Sequence, residues 1–349
     1  MKIAQVAPLY ESVPPTYYGG TERVVSYLTE ELVKQGHEVT LFATGDSLTN
    51  GRLEAIAPQG LRLDKQCIVY LPHHILLLER VAQLAPEFDI VHYHIDYMHF
   101  PLSRALSIPN LTTLHGRLDI PDLVPIYREF KDMPLVSISD HQRIPLSFAN
   151  WHATVYHGMP EELYHFHPTP SNYLAFLGRI SPEKRVDRAI EIATRVGMEI
   201  RIAAKVDKVD QDYFDNEIKP LLNHPLVSYS GEISLEEKNE LLANAYAVLF
   251  PIDWPEPFGL VMIEAMASGT PVIAYRHGSV PEVIQDGETG FIVEDTAQAV
   301  AAVEKIGTLS RQRCRQVFEE RFSATRMTRD YLAVYQSLIE PQFRPRLVV

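Results

Sequence analysis

The sequence predicts an α/β protein with two domains, each built on a parallel sheet, and three observations carry that expectation. Near the start, the apolar run Ile3-Ala4-Gln5-Val6-Ala7 is followed by a loop, a stretch with helical apolar spacing, and a second apolar run, Val39-Thr40-Leu41-Phe42-Ala43. Strand, helix and strand in that order give parallel pairing of the Rossmann-like kind. The same alternation starts afresh at Tyr173-Leu174-Ala175-Phe176-Leu177-Gly178. Finally, 349 residues at about 150 per domain make roughly two domains.

Composition narrows the function. The chain holds 32 Lys and Arg against 45 Asp and Glu, a net charge of −13. Residues 1–167 contribute 12 against 19, or −7, and the remainder −6, so neither half is basic. This argues against nucleic acid as the main partner and leaves no basic face for an anionic membrane, so peripheral membrane contact is not expected. No run approaches the roughly 18 apolar residues of a membrane span. Cys67 and Cys314 lie far apart in no metal-like spacing, which fits a reducing compartment. Met1-Lys2-Ile3 opens no signal-peptide pattern, and the expected location is the cytoplasm.

In the first half, Thr21 is expected to cap a helix whose Val24, Val25, Leu28 and Leu32 share one face, with Gly36 as its stop. No G-x-G-x-x-G follows the first strand, so a dinucleotide site is not expected there. Gly19-Gly20 reads either as a flexible joint or as backbone that a ligand approaches closely. The strands Asp89–His94 and Leu111–Gly116 leave histidines at their carboxyl ends, where ligands of open α/β sheets gather. His92, His94 and His115 suggest a metal site, but no ordered set of further ligands follows, and no metal is expected. His73, His74, His99, His141 and His152 read as surface or packing residues. Leu135–Ser139 and Ala153–Gly158 complete the first sheet. Residues 160–171, with Pro168 and Pro170, read as a linker with the boundary near 168.

In the second half, Arg179-Ile180-Ser181-Pro182-Glu183-Lys184 turns from strand to helix and puts two cations at a carboxyl edge. Ala189, Ile190, Ile192 and Ala193 face inward on that helix. Further strands are Ile200–Ala204, Val227–Ser230, Ala247–Ile252 and Val272–Tyr275. Lys205 ends one of them, suited equally to a nucleotide or to plain surface. The stretch Pro255-Glu256-Pro257-Phe258-Gly259-Leu260-Val261-Met262-Ile263-Glu264-Ala265-Met266-Ala267-Ser268-Gly269 organises this half. A helix is expected from Phe258 or Gly259, buried nearly all round and stopped by Gly269. Its carboxylate, Glu264, needs either a cation or ligand hydroxyls. The amides of Gly259, Leu260 and Val261 at the helix start suit a phosphate. Together these groups describe a holder for a ribose and a diphosphate.

The spacing Glu256-x7-Glu264, followed by Ala265, Gly269 and Pro271, resembles the signature of family 4 (group 1) retaining glycosyltransferases of the GT-B fold. The resemblance implies two Rossmann-like domains with parallel sheets facing across a cleft. An acceptor-binding domain would span 1–168 and a nucleotide-sugar domain 169–325. The helical tail, 326–349, would cross back to the first domain. It further implies that Glu264 holds the ribose and Glu256 lies near the donor sugar, while Arg179 and Lys184 grip the diphosphate. Amides of Gly19 and Gly20 would touch the donor phosphate. His115, with His92 as the weaker candidate, would contact the transferred sugar, and backbone at Ile233 the base. Lys205 would reach the nucleotide. Glu22 and Arg23 would form a local pair or lie on the acceptor side. Gly278–Glu282 and Asp286–Phe291 are also family-like and read as structural turns.

The implied reaction moves a sugar from a UDP-sugar or GDP-sugar to an acceptor hydroxyl with retention and with no metal or other cofactor. His115, Glu256, Arg179 and Lys184 form the catalytic set, and the leaving phosphate takes the acceptor proton. Three alternatives stay open. A sugar-nucleotide 2-epimerase of the same fold would use carboxylates such as Glu22, Asp96 and Asp119. A non-enzymatic sugar-nucleotide sensor would need only the binding groups. A metal-dependent hydrolase would be built on His92, His94 and His115.

Overall fold

The computed structural model describes residues 1–16 and 19–340. Tyr17, Tyr18 and the last part of the expected returning tail, 341–349, lie outside the described residues. The chain divides into two compact units. Unit one is Met1–Pro160 together with the segment from Ala324, and unit two is Glu161–Ser323.

Unit one is built on seven parallel strands. They are β1 (Lys2–Val6), β2 (Glu38–Thr44), β3 (Arg52–Ala57), β4 (Ile90–Tyr93), β5 (Asn110–Thr113), β6 (Leu135–Ser137) and β7 (Trp151–Thr154). Their order is β3-β2-β1-β4-β5-β6-β7. The inner strands are apolar runs buried on both faces, as parallel sheets require; β3 is an edge strand carrying Arg52 and Glu54 and shows no such run. The Gly20–Lys34 helix buries Val24, Val25, Leu28 and Leu32 as expected, but Thr21 sits inside its first turn and Gly19 is the N-cap. The Leu71–Leu84 helix buries His74, Leu77, Val81 and Leu84 and leaves Leu71, Ile75 and Leu76 exposed.

The Ala324–Ile339 helix packs against the Gly20–Lys34 helix within unit one. It buries Met327, Tyr331 and Tyr335 completely. Ala324 N–H bonds Met159 O at 2.8 Å, and Arg326 Nη2 donates to Tyr156 O and His157 O at 2.8 and 3.0 Å.

Unit two has six parallel strands, β8 (Tyr173–Ile180), β9 (Glu199–Val206), β10 (Val227–Gly231), β11 (Ala247–Phe250), β12 (Val272–Tyr275) and β13 (Gly290–Val293). Their order is β10-β9-β8-β11-β12-β13. β13 corrects the reading of 286–291 as turn throughout: the turn ends at Thr289, and Gly290 opens an edge strand. A Cβ at Gly290 would run into Val272 O. Leu174, Phe176, Ile190, Ile202, Leu249 and Ile273 form the core. Residues 161–168 pack in this unit: Arg315 donates to Tyr164 O at 3.0 Å and to Glu161 O at 2.8 Å. Among the described residues no helix is long and apolar enough to cross a membrane.

Each sheet reverses its winding once, between β1 and β4 in unit one and between β8 and β11 in unit two. The loops leaving the carboxyl ends of such a strand pair part in opposite directions and open a crevice, which is where ligands bind in sheets of this type.

Candidate active site

The reversal in unit two is bounded by the end of β8, with Arg179, and its following loop, with Lys184, and by the loop after β11, with Glu256. Pro255 and Pro257 restrict that second loop. It is fastened from outside by the turn at Gly278, whose φ is +57°. A Cβ at Gly278 would collide with the backbone of Glu256. Ser279 donates from its amide to Glu256 O at 3.0 Å and from Oγ to Phe258 O at 2.7 Å.

Glu256 is buried, 8% exposed. Its Oε2 accepts from Lys184 Nζ and from Trp254 Nε1 at 3.0 Å. Lys184 Nζ lies 5.0 Å from the Trp254 ring centre and 5.7 Å from that of Phe250. The two rings hold a cation by their negative faces, so the ammonium is aimed rather than free to swing. Arg179, opposite Lys205 in the β8–β9 register, sits among three carboxylates. It pairs with Glu183, with Asp207 at 3.4 Å and with Asp210 at 3.6 Å. Lys205 pairs with Asp207 at 2.9 Å. Burial lifts Asp207, but its bonds to Lys205 and Arg179 outweigh that and hold it below the usual carboxylate range.

The helix spans Leu260–Ala267, with Gly259 as N-cap at φ +79° and Gly269 at +81° as its stop. Met262 N–H closes on Gly259 O at 3.0 Å. The amides of Leu260 and Val261 precede the first helical bonds and point out of the helix start. Glu264 is 4% exposed. Its Oε1 accepts from Lys238 Nζ at 2.7 Å and from Tyr164 OH at 2.8 Å. The buried carboxylate thus has a cation, one of the two partners its position demanded. Lys238 stands on the Leu235–Asn244 helix, which Ser234 and Glu237 close with a reciprocal capping box. Ile233 precedes that cap at the carboxyl end of β10. Sequence reasoning missed Lys238 and Tyr164. The box Ser234-x-x-Glu237 was the available signal, since it fixes the helix that carries Lys238.

In unit one, Gly19 packs so tightly on Pro15 that a Cβ would come within 2.8 Å of its ring, and Gly20 opens the following helix. Glu22 is buried, and burial raises its pKa; the opposite charge that reaches it is Arg62, not Arg23. Asp96 follows β4 in the left-handed region at φ +52°. Asp119 is tied to Arg117 at 2.7 Å. His115 follows β5, with Nε2 2.8 Å from His94 Nδ1 and its ring stacked 5.3 Å from that of His157. Burial pushes its pKa down to about 3, so it is neutral at any physiological pH. His92 is corrected as a sugar contact. It is fully buried, and its nitrogens face Tyr335 OH and Thr113 Oγ1, each at 2.7 Å. His99 is a packing residue, bonded to Ser103 and Thr112.

Comparison with known proteins bears on this arrangement. Residues 164–323 match the family described as glycosyl transferases group 1, and residues 18–190 match Glycosyltransferase Family 4. N-acetyl-alpha-D-glucosaminyl L-malate synthase of Bacillus anthracis is 24% identical over 367 residues, covering 92% of this chain and 94% of the relative. Among solved structures, AviGT4, a glycosyltransferase involved in avilamycin A biosynthesis, has a TM-score of 0.76 at 24% identity, covering 97% of this chain and 98% of that one. Anabaena HepE in complex with UDP-glucose has a TM-score of 0.72 at 16% identity, covering 97% and 100%. The two family matches join to run from residue 18 to residue 323, from before β2 to beyond β13, and the chain belongs to the family 4, group 1 glycosyltransferases, sugar-transferring enzymes of the GT-B fold.

Proposed function

We propose that this glycosyltransferase takes its sugar from a nucleoside-diphosphate sugar and passes it to an acceptor hydroxyl with retention of configuration and without a metal. The observation that carries the reading is the Lys184–Glu256 pair beside the open start of the Leu260–Ala267 helix. As the bond from C1 to the phosphate oxygen breaks, negative charge grows on the diphosphate. Lys184 and the amides of Gly259, Leu260 and Val261 are fixed donors for that charge, and such donors contribute about 3–4 kcal/mol each. Arg179 adds a second cation, weakened by the three carboxylates it already serves. Glu264, oriented by Lys238 and Tyr164, takes the ribose hydroxyls; backbone at Ile233 takes the base, and Lys205 the nucleotide edge. Glu256 meets the donor sugar.

We assign the acceptor to unit one, with His115 on the transferred sugar and the Gly19-Gly20 amides on phosphate. The new bond from C1 to the acceptor oxygen forms on the face the phosphate leaves. The acceptor proton moves to the departing phosphate oxygen, so the products are a glycoside and a nucleoside diphosphate. The complex of HepE with UDP-glucose makes a UDP-sugar the first donor to try, ahead of GDP-sugars.

Titration calorimetry with UDP-glucose and GDP-mannose, followed by transfer assays, tests the reading. Lys184→Ala should lower turnover by roughly 10²–10³ at saturating donor, more than Arg179→Ala, and a chelator should leave wild-type turnover unchanged. Unchanged turnover in Lys184→Ala would remove the diphosphate clamp. Donor consumed at the same rate without any acceptor would replace transfer by epimerisation or hydrolysis.

A further inference from the structure

A chain of hydrogen bonds crosses the core of unit one, from the Ala324–Ile339 helix to the carboxyl edge of the sheet. Tyr331 OH lies 2.9 Å from Thr113 Oγ1, which lies 2.7 Å from His92 Nε2. His92 Nδ1 is 2.7 Å from Tyr335 OH. Gln5 Nε2 donates to that same hydroxyl oxygen at 3.0 Å. The other end of the amide, Gln5 Oε1, is 2.8 Å from His94 Nε2, and His94 Nδ1 is 2.8 Å from His115 Nε2. Every member before His115 is at most 3% exposed. Burial holds His92, His94 and His115 below the ordinary histidine range, so the imidazoles are neutral.

A neutral imidazole has one N–H and one lone pair, and an amide oxygen only accepts. Each link therefore dictates the next. Gln5 Oε1 requires the proton of His94 on Nε2. His94 Nδ1 is then a lone pair and requires the proton of His115 on Nε2. What remains is His115 Nδ1, a lone pair, buried and with no hydrogen-bond partner among the described residues. On the other side, Tyr335 accepts from Gln5 and so turns its own hydrogen to His92 Nδ1. His92 in turn donates to Thr113.

We propose that Gln5 and His94 are positioning residues that lock His115 in the Nε2–H tautomer, so that Nδ1 accepts a hydrogen bond from a hydroxyl of the transferred sugar. The sugar contact rests on the proposed function; the lock itself does not. It makes His115 selective for a group that donates. A deoxyfluoro sugar, which has no hydrogen to give at that position, loses the contact.

Long-range proton–nitrogen NMR on the full-length chain with labelled histidine reads the tautomer without any substrate. His115 should show a protonated Nε2 and an unprotonated Nδ1. Gln5→Met should mix the two tautomers and lower kcat about tenfold, the worth of one hydrogen bond. Gln5→Glu, whose ionised carboxylate can only accept from His94, should keep the His115 tautomer at a pH where the carboxylate is charged. A protonated Nδ1 in the wild type would overturn the proposal, and that measurement needs no variant to fold. An unchanged tautomer in Gln5→Met would also overturn it. If the tautomer behaves as expected but His115→Ala transfers sugar at the wild-type rate, the lock stands and the sugar contact falls.

Discussion

Glu22 enters the interior with Arg62 as the opposite charge that reaches it, and burial outweighs that and pushes its pKa above the ordinary carboxylate value. The consequence for stability has a definite sign. Below the ordinary carboxylate range both folded and unfolded chains are protonated at this site, and it costs nothing. As pH rises, the unfolded chain ionises first, and folding must then oppose that ionisation. Glu22→Gln should therefore raise the melting temperature at about pH 7.5, and the gain should vanish near pH 4. Melts at the two pH values check this; a variant less stable at both would mean that the carboxylate makes a contact outweighing its burial. At this scale the sequence was half legible. Glu264 stood out because a carboxylate in an apolar helix must be answered, and Glu256 through its spacing from it. The answering groups were harder to read: Lys238 is 26 residues and Tyr164 is 100 residues from Glu264, and only the capping box pointed to the helix that carries Lys238. His92 was misread because a strand pattern does not say which face the returning helix covers.

Among the elements, the Arg311–Phe322 helix is anchored at its first residue by a buried cation, besides Arg315 and its apolar face. Arg311 donates from Nε to His167 O at 2.7 Å, from Nη1 to Ala245 O at 2.9 Å, and from Nη2 to Ala243 O at 2.6 Å and Thr270 Oγ1 at 2.7 Å. Burial lowers its pKa to about 10, which leaves it charged at neutral pH. It ties the end of the Leu235–Asn244 helix, the turn at Thr270 and the 161–168 segment to one helix. Arg311→Met should cost roughly 3 kcal/mol or more, since an orphaned buried acceptor costs about 1–3 kcal/mol. Urea unfolding measures it; a loss under about 1 kcal/mol would show that water replaces the guanidinium. Element types were well signalled where burial on both faces produced an apolar run. β3 and β13 escaped because edge strands carry charges and glycine, and the Leu71–Leu84 helix because Leu71, Ile75 and Leu76 on its exposed side blur the helical period.

For the whole molecule, the important fact is that unit one is discontinuous in sequence. Tyr331 and Tyr335 close the hydrogen bonds of Thr113, His92 and Gln5. A chain cut after Ser323 should lose hydrogen-exchange protection in β1, β4 and β5 while β8–β13 keep theirs. Equal protection in both sheets would show that unit one needs no returning helix. The two-sheet plan was legible because the strand pattern restarts at Tyr173. The partners of the tail were not, since they are set by packing over about 200 to 330 residues.

The same discontinuity governs how the enzyme is made. A ribosome releases β1 to β7 long before it has synthesised the helix they need. At roughly 5–20 residues per second, residues 161–339 take on the order of 10–40 s. During that interval the nascent first sheet waits with buried histidines and Gln5 uncovered, while the middle of the chain can already fold. The later-born half is thus the first to mature.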